Sequence, residues 1–138
     1  MAVDTLNALV SGAIWRAEQL DELGLDTANS AWKEVSKLEE EIAKIVPTKE
    51  AEGRIARRGA VRAALKANDH VRARDLFDRY TAEEGVPRAL RSDLRKMLRA
   101  EAKELSEEFP FAAKHYRPND VQMLAIRFRE CGPFGLVA

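Results

Sequence analysis

Apolar residues return every three or four positions along most of the chain, the period of a helix with one buried side. Leu6, Leu9, Val10, Ala13, Ile14, Ala17 and Leu20 form the first such stripe, and Ala28, Ala31, Trp32, Val35, Leu38, Ile42, Ile45 and Val46 the second. Val71, Ala73, Leu76, Phe77 and Tyr80 carry a fourth, and Leu90, Leu94, Met97, Leu98, Leu105 and Phe109 a fifth. Between them, the segment from Lys49 to Ala67 lines one side with Gly53, Ala56, Ala60, Ala63, Ala64 and Ala67, while Ile55, Val61 and Leu65 lie elsewhere around the wheel. Small residues let a neighbouring axis approach closely, so this third helix is expected to be central and touched on more than one side. Trp32, Val35, Leu38 and Ile42 are expected to bury against its small face.

The ends of these stripes carry stop and start residues. Asp4 or Thr5 suits the first N-cap, Asp26 and Thr27 the second and Thr48 the third. Gly24 and Gly85 can end helices in the left-handed conformation, Pro47 cannot continue one, Pro87 suits a first turn, and Asn68-Asp69 makes a short turn. The pattern predicts helices over about 5–23, 27–46, 49–67, 70–84 and 87–109. The gaps are short, so successive helices should pack as antiparallel hairpins. Residues 110–120 hold two prolines and read as a loop. Val121 to Glu130 fits a sixth helix, although Ile126-Arg127-Phe128-Arg129 also alternates as a strand would, and Gly132-Pro133-Phe134-Gly135 breaks regular structure. The expected fold is all-α: five or six helices in antiparallel hairpins, as a bundle or a tetratricopeptide-like stack, with an irregular C-terminal loop and tail, in one domain over 1–138.

Composition agrees with one ordinary folded unit: 138 residues, 46% hydrophobic and 33% charged. No apolar run approaches the roughly 20 residues needed to cross a bilayer, and no signal or transit pattern opens the chain, so a soluble, cytoplasmic protein without membrane contact is expected. A lone Cys131 fits a reducing compartment.

The net charge of zero conceals a gradient of −5 over residues 1–50, +6 over 51–100 and −1 over 101–138. Arginine dominates the basic middle: Arg54, Arg57, Arg58, Arg62, Arg72, Arg74, Arg79, Arg88, Arg91, Arg95 and Arg99. Guanidinium groups bind phosphate bidentately, so Arg54, Arg57, Arg58, Arg62, Arg72, Arg74, Arg91, Arg95 and Arg99 are the candidate patch for nucleic acid or an acidic partner. Against nucleic acid, acidic residues interleave with them and the isoelectric point is only 6.8. Ala60 to Tyr80 could form a helix-turn-helix, but its turn lacks the usual glycine.

Local catalytic signatures are absent. The sequence has no glycine-rich phosphate loop, nucleophile elbow or paired metal-ligand motif, and His70 and His115 are far apart. Glu39-Glu40-Glu41 lacks the Glu-x-x-His partners of a di-iron bundle and reads as a solvated face. Trp15 and Trp32 read as core or groove residues. No catalytic, metal or cofactor-binding residue is assigned, and no cofactor is expected.

Ala31 and Ala73, followed four residues later by Val35 and Phe77, with Asp26 and Asn68 five residues before and Pro47 and Pro87 after, make a faint internal repeat; Trp15 stands where a helix-opening tryptophan would. Over residues 15–87 this resembles tetratricopeptide-type helical-hairpin repeats, although the period is 42 residues and the Leu-Gly pair of the first helix is missing. The resemblance implies a protein-binding scaffold. The expected function is therefore a small helical interaction module, a scaffold, adaptor or regulator, that binds another protein or itself as a homodimer, with Phe134, Leu136 and Val137 as a candidate interface tail. The alternatives are a nucleic-acid-associated protein using the arginines of 54–99, and an enzyme whose site is assembled from distant residues.

Overall fold

Five helices follow one another in a computed structural model that describes residues 2–108: α1 (Val3–Glu22), α2 (Thr27–Ile45), α3 (Ala51–Lys66), α4 (His70–Thr81) and α5 (Arg88–Glu108). The fold is all-α, and no strand occurs among the described residues. The loop over 110–120, the segment 121–130, the tail of Phe134, Leu136 and Val137, and His115 and Cys131 lie outside the described residues.

Several ends differ from the sequence reading. Ala2 is the N-cap of α1 and makes no side-chain cap bond, so Asp4 falls inside the first turn, where its charge suits the helix dipole. Glu50 rather than Thr48 precedes α3, and Thr48 is buried in the turn. α4 is shorter than its apolar pattern, stopping at Thr81 ahead of Gly85, which has φ +73°. At the other end of α4, Asn68 takes φ 58° and the Asp69 carboxylate accepts the Arg72 amide at 3.0 Å, so the turn supplies its own cap.

Contacts fix the directions. Asp21 accepts the Trp32 indole N–H and Arg16 faces Glu34, so α1 and α2 run antiparallel. Asn29 near the start of α2 meets Asn68 just past α3, while Ala43 and Val46 at its other end meet Arg57, so α2 and α3 also oppose. Arg57 reaches Glu83 beyond the end of α4, and Thr81 at that end receives a bond from Arg91 early in α5. The result is a chain of antiparallel neighbours.

α3 is the shared element. Gly53, Ala56, Arg57, Ala60, Val61, Ala63 and Ala64 are all buried on it, and it packs against α2, α4 and α5. One apolar cluster joins Leu6 and Val10 of α1, Ile42 and Val46 of α2, Ala56 to Ala64 of α3, Leu76 of α4 and Leu90, Leu94 and Leu98 of α5. A second gathers Ala17, Ala31, Trp32, Val35, Ala63 and Ala67 where α1, α2 and α3 meet. Trp32, Val35 and Ile42 are buried as expected, but Leu38 is only half-buried and Ile45 is exposed. Ser36 and Glu39 are inward as well: Ser36 donates to the Ala60 carbonyl, and Glu39, four residues after Val35 and three before Ile42 on the same stripe, lies against Gly59.

Candidate interaction surfaces

Among the described arginines Arg57 is the most enclosed, 4% exposed, and every N–H of its guanidinium is used. Nη1 donates to the Val46 and Gly53 carbonyls at 2.9 and 2.8 Å, Nη2 to the Ala43 carbonyl at 3.1 Å, and Nε and Nη2 grip the Glu83 carboxylate at 2.9 Å. Its charge also stands 5.5 Å over the Tyr80 ring. Two of these carbonyls belong to the open C-terminal end of α2, so Arg57 is that helix's cap and ties it to α3 and to the α4–α5 turn. It is not on a surface.

Other arginines are bound into the frame as well. The buried Ser36 hydroxyl donates to the Ala60 carbonyl at 2.7 Å and accepts Arg72 Nε at 3.0 Å; Arg72 then pairs with Glu40 at 2.8 Å. Arg79 pairs with Glu40 and with Asp75, each at 3.0 Å. Burial alone would raise the Glu40 carboxyl, but the bonds and charges of Arg72 and Arg79 outweigh it and hold the carboxyl below its ordinary range. Arg58 bonds Asp93 at 2.9 Å, Arg74 lies 3.4 Å from Asp78, and Arg54 donates to the Lys49 carbonyl at 2.6 Å.

α5 carries the contrast. Arg88, Arg91, Arg95 and Arg99 follow at three-, four- and four-residue steps on one exposed side, with Lys96 and Lys103 beside them. Among the described residues none of the six makes an ion pair; Arg91 donates to the Thr81 carbonyl, at 3.1 Å. No carboxylate occupies the positions three or four residues away from Arg91, Arg95 or Arg99, so the side is basic along its length.

A second surface is apolar. On the outer side of α1, Trp15 is 65% and Leu9 44% exposed, and Leu23 just beyond the helix is 70% exposed; Ala8, Gly12 and Gln19 lie between them, and the exposed Glu18 and Glu22 border Trp15. Trp15 is therefore a surface residue, whereas Trp32 is core.

Comparison with protein families, curated proteins and solved structures gave no match. Function must be read from these surfaces.

Clefts indent the described residues. One of about 310 Å³ lies between the start of α2 and the α3–α4 turn beside Asn29, Lys33, Asp69 and His70. A second of about 230 Å³ borders Glu40, Arg79 and Tyr80. Burial, and then the Glu40 charge, push the Tyr80 hydroxyl up to about 12. A third, of about 210 Å³, sits between α1, α2 and α3 beside Trp32, Glu39, Gly59, Arg62 and Lys66. Glu39 is 8% exposed there, and burial raises its carboxyl to about 7 against the opposing pull of Arg62. Lys66 Nζ lies 4.3 Å from the Trp32 ring centroid, closing one side. His70 is buried with Nδ1 3.2 Å from a Glu101 oxygen, linking α4 to α5. Among the described residues no group of three or more His, Cys, Asp or Glu could hold a metal ion.

The nine arginines of the candidate patch thus divide. Arg57 is buried; Arg54, Arg58, Arg72 and Arg74 are engaged at helix junctions or within α4; Arg62 is exposed beside Glu39; and Arg91, Arg95 and Arg99 share the open side of α5. Sequence reasoning read Trp15 as a core or groove residue and Glu39 as part of a solvated face; Trp15 is instead 65% exposed on the outer side of α1 and Glu39 is buried. A signal for Trp15 was available: it falls outside the spacing of Leu6, Val10, Ala13, Ile14 and Ala17. For Glu39 the signal was its spacing, four residues after Val35 and three before Ile42 on the buried stripe of α2.

Proposed function

We propose that this protein is a helical interaction module that binds another protein or a second copy of itself. The observation that carries the reading is the outer side of α1, where Leu9, Trp15 and Leu23 stand exposed on a helix whose other side is fully committed to the core. Large aromatic side chains in water are unusual on an inert surface and are enriched at the centres of protein interfaces. Two further features support it. The hairpin order presents whole helices edge to edge, as scaffold proteins do, and most of the arginines on α3 and α4 are occupied within the fold, leaving few for phosphates.

The test is site-specific photo-crosslinking of the full chain in cells, with the reactive group at position 15 and a control at the exposed Lys37 on α2. Protein adducts, to another chain or to a second copy, should form at position 15 well in excess of the control. Equal, background adducts at both positions would remove α1 as an interface and with it this reading.

A further inference from the structure

Charges of opposite sign stand at the two helix ends that suit them least. α1 closes on Glu18, Asp21 and Glu22 with no base in its last turn, although a helix C-terminus favours cations. α5 opens on Arg88 and Arg91 with no acid in its first turn, although an N-terminus favours anions. Asp21 is used inside the fold, by the Trp32 indole. Glu18, Glu22 and Asp26 are exposed and make no ion pair among the described residues, and Asp26 forms no side-chain cap bond although it is the N-cap of α2. Glu18 borders the cleft that Arg62 and Lys66 also line, without pairing with either. Among the described residues neither cluster is neutralised by ion pairs, and each holds what the other lacks.

Their geometry matches too. Trp15, Glu18 and Glu22 lie three and four residues apart on one stripe of α1, with Leu23 and Leu25 at its end; Arg88, Arg91, Arg95 and Arg99 repeat the same steps on α5. A four-residue step rises about 6 Å on either helix, so the two carboxylates can each register with a guanidinium. Laid antiparallel, the two helices also set the negative end of one dipole beside the positive end of the other. A guanidinium stacks on indole better than any other charged group, which gives Trp15 a role at the centre of the contact.

Resting on the protein-binding reading above, we propose that the Trp15–Glu18–Glu22 surface of one copy docks on the arginine ladder Arg88–Arg91–Arg95–Arg99 of a second copy. In a two-fold dimer this contact is made twice. Nucleic acid is the poorer occupant of the ladder: α5 offers no aromatic ring beside the arginines on which a base could stack, and the net charge of −5 over residues 1–50 repels a polyanion. The acidic and aromatic surface at the end of α1 supplies both complements on the same chain.

Sedimentation velocity on the full chain tests this, at low salt and at about 0.5 M salt, where surface charges are screened. The mass should be that of two chains at low salt and fall toward one as salt rises. Arg95→Glu/Arg99→Glu and Glu18→Lys/Glu22→Lys, all at exposed positions and checked for fold by circular dichroism, should each weaken self-association at least tenfold. Mixed together, the two variants should associate again, because the reversed charges are complementary. A wild-type mass of one chain under all conditions overturns the self-docking while leaving crosslinking at position 15 to judge the broader reading. Self-association that neither variant weakens, or a mixture that stays apart, assigns the interface to another face and overturns the pairing. A monomer that binds a duplex oligonucleotide, and loses it in Arg95→Glu/Arg99→Glu, gives the ladder to nucleic acid.

Discussion

A charge taken out of water is tolerated only when its hydrogen-bonding capacity is met, and Arg57 and Glu39 stand on opposite sides of that condition. Arg57 has all its donors placed, so removing it strands Glu83 and the carbonyls of Ala43, Val46 and Gly53. Arg57→Ala should destabilise the fold by about 3–5 kcal/mol, read as a drop in urea midpoint, whereas the exposed Arg95→Ala should change it by less than about 0.5 kcal/mol. Glu39 is buried against Gly59 and no bond to it offsets the desolvation, which is why its carboxyl titrates near 7. The folded chain then holds a proton that the unfolded chain releases near 4.5, so the folded state binds more protons between those values. Glu39 is therefore least unfavourable below about pH 4.5, and its contribution falls as pH rises through 7. Glu39→Gln should remove that slope, making the variant more stable than the wild type at pH 8 by about 1–3 kcal/mol and little different at pH 4.5. Denaturation at the two pH values decides it; a constant offset at both would mean that the carboxyl does not titrate in the fold.

Among the helices, α3 shows how small residues divide into those that are required and those that are merely allowed. A Cβ on Gly53 would sit 2.1 Å from the Pro47 carbonyl oxygen, a backbone atom that can move only by shifting the α2–α3 turn. One on Gly59 would meet the Glu39 carboxylate at 2.5 Å, the far end of a side chain that can rotate away. Alanine in a helix interior is worth about 1 kcal/mol over glycine, so Gly59→Ala should be close to neutral and Gly53→Ala should lose more than about 1 kcal/mol. Equal thermal shifts for the two would contradict that account of the turn. The same contrast explains what could be read beforehand. The hairpins were legible because the apolar period of α1, α2, α4 and α5 is local, and the alanine side of α3 announced a central helix. The inward placement of Ser36 was not, since it depends on the Ala60 carbonyl across the interface; Glu39 is spaced with Val35 and Ile42, but its charge argued for solvent and only Gly59 across the interface makes room for it. Ion pairs followed the same division: Arg74–Asp78 and Arg79–Asp75 are four residues apart and visible in the sequence, while Arg57–Glu83, Arg72–Glu40 and Arg58–Asp93 span 26, 32 and 35 residues. Which arginines are bound into the frame therefore could not be read from the sequence alone.

At the scale of the molecule, two apolar clusters meet along α3, and the question is whether they melt as one. The larger contains Leu76 of α4 and Leu90, Leu94 and Leu98 of α5 with Ile42, Val61 and Tyr80; the smaller rests on Trp32 and Val35 with four alanines. Alanine buries little apolar area, so at about 25 cal/mol per Å² the smaller cluster cannot offset the ordering of α1 and α2 without a folded α3 beneath it. α3 is in turn capped through Arg57 to the end of α2 and to Glu83, so losing either side exposes the other. A single cooperative transition follows for these helices. The two tryptophans make this measurable: Trp15→Phe leaves Trp32, in the smaller cluster, as the one indole in the chain. Its fluorescence should then move with the far-ultraviolet helix signal, with coincident midpoints and slopes in urea. A Trp32 transition that comes clearly before the loss of helix would show that the α1–α2 hairpin opens from α3 on its own, and that the Arg57 clamp does not couple the two halves.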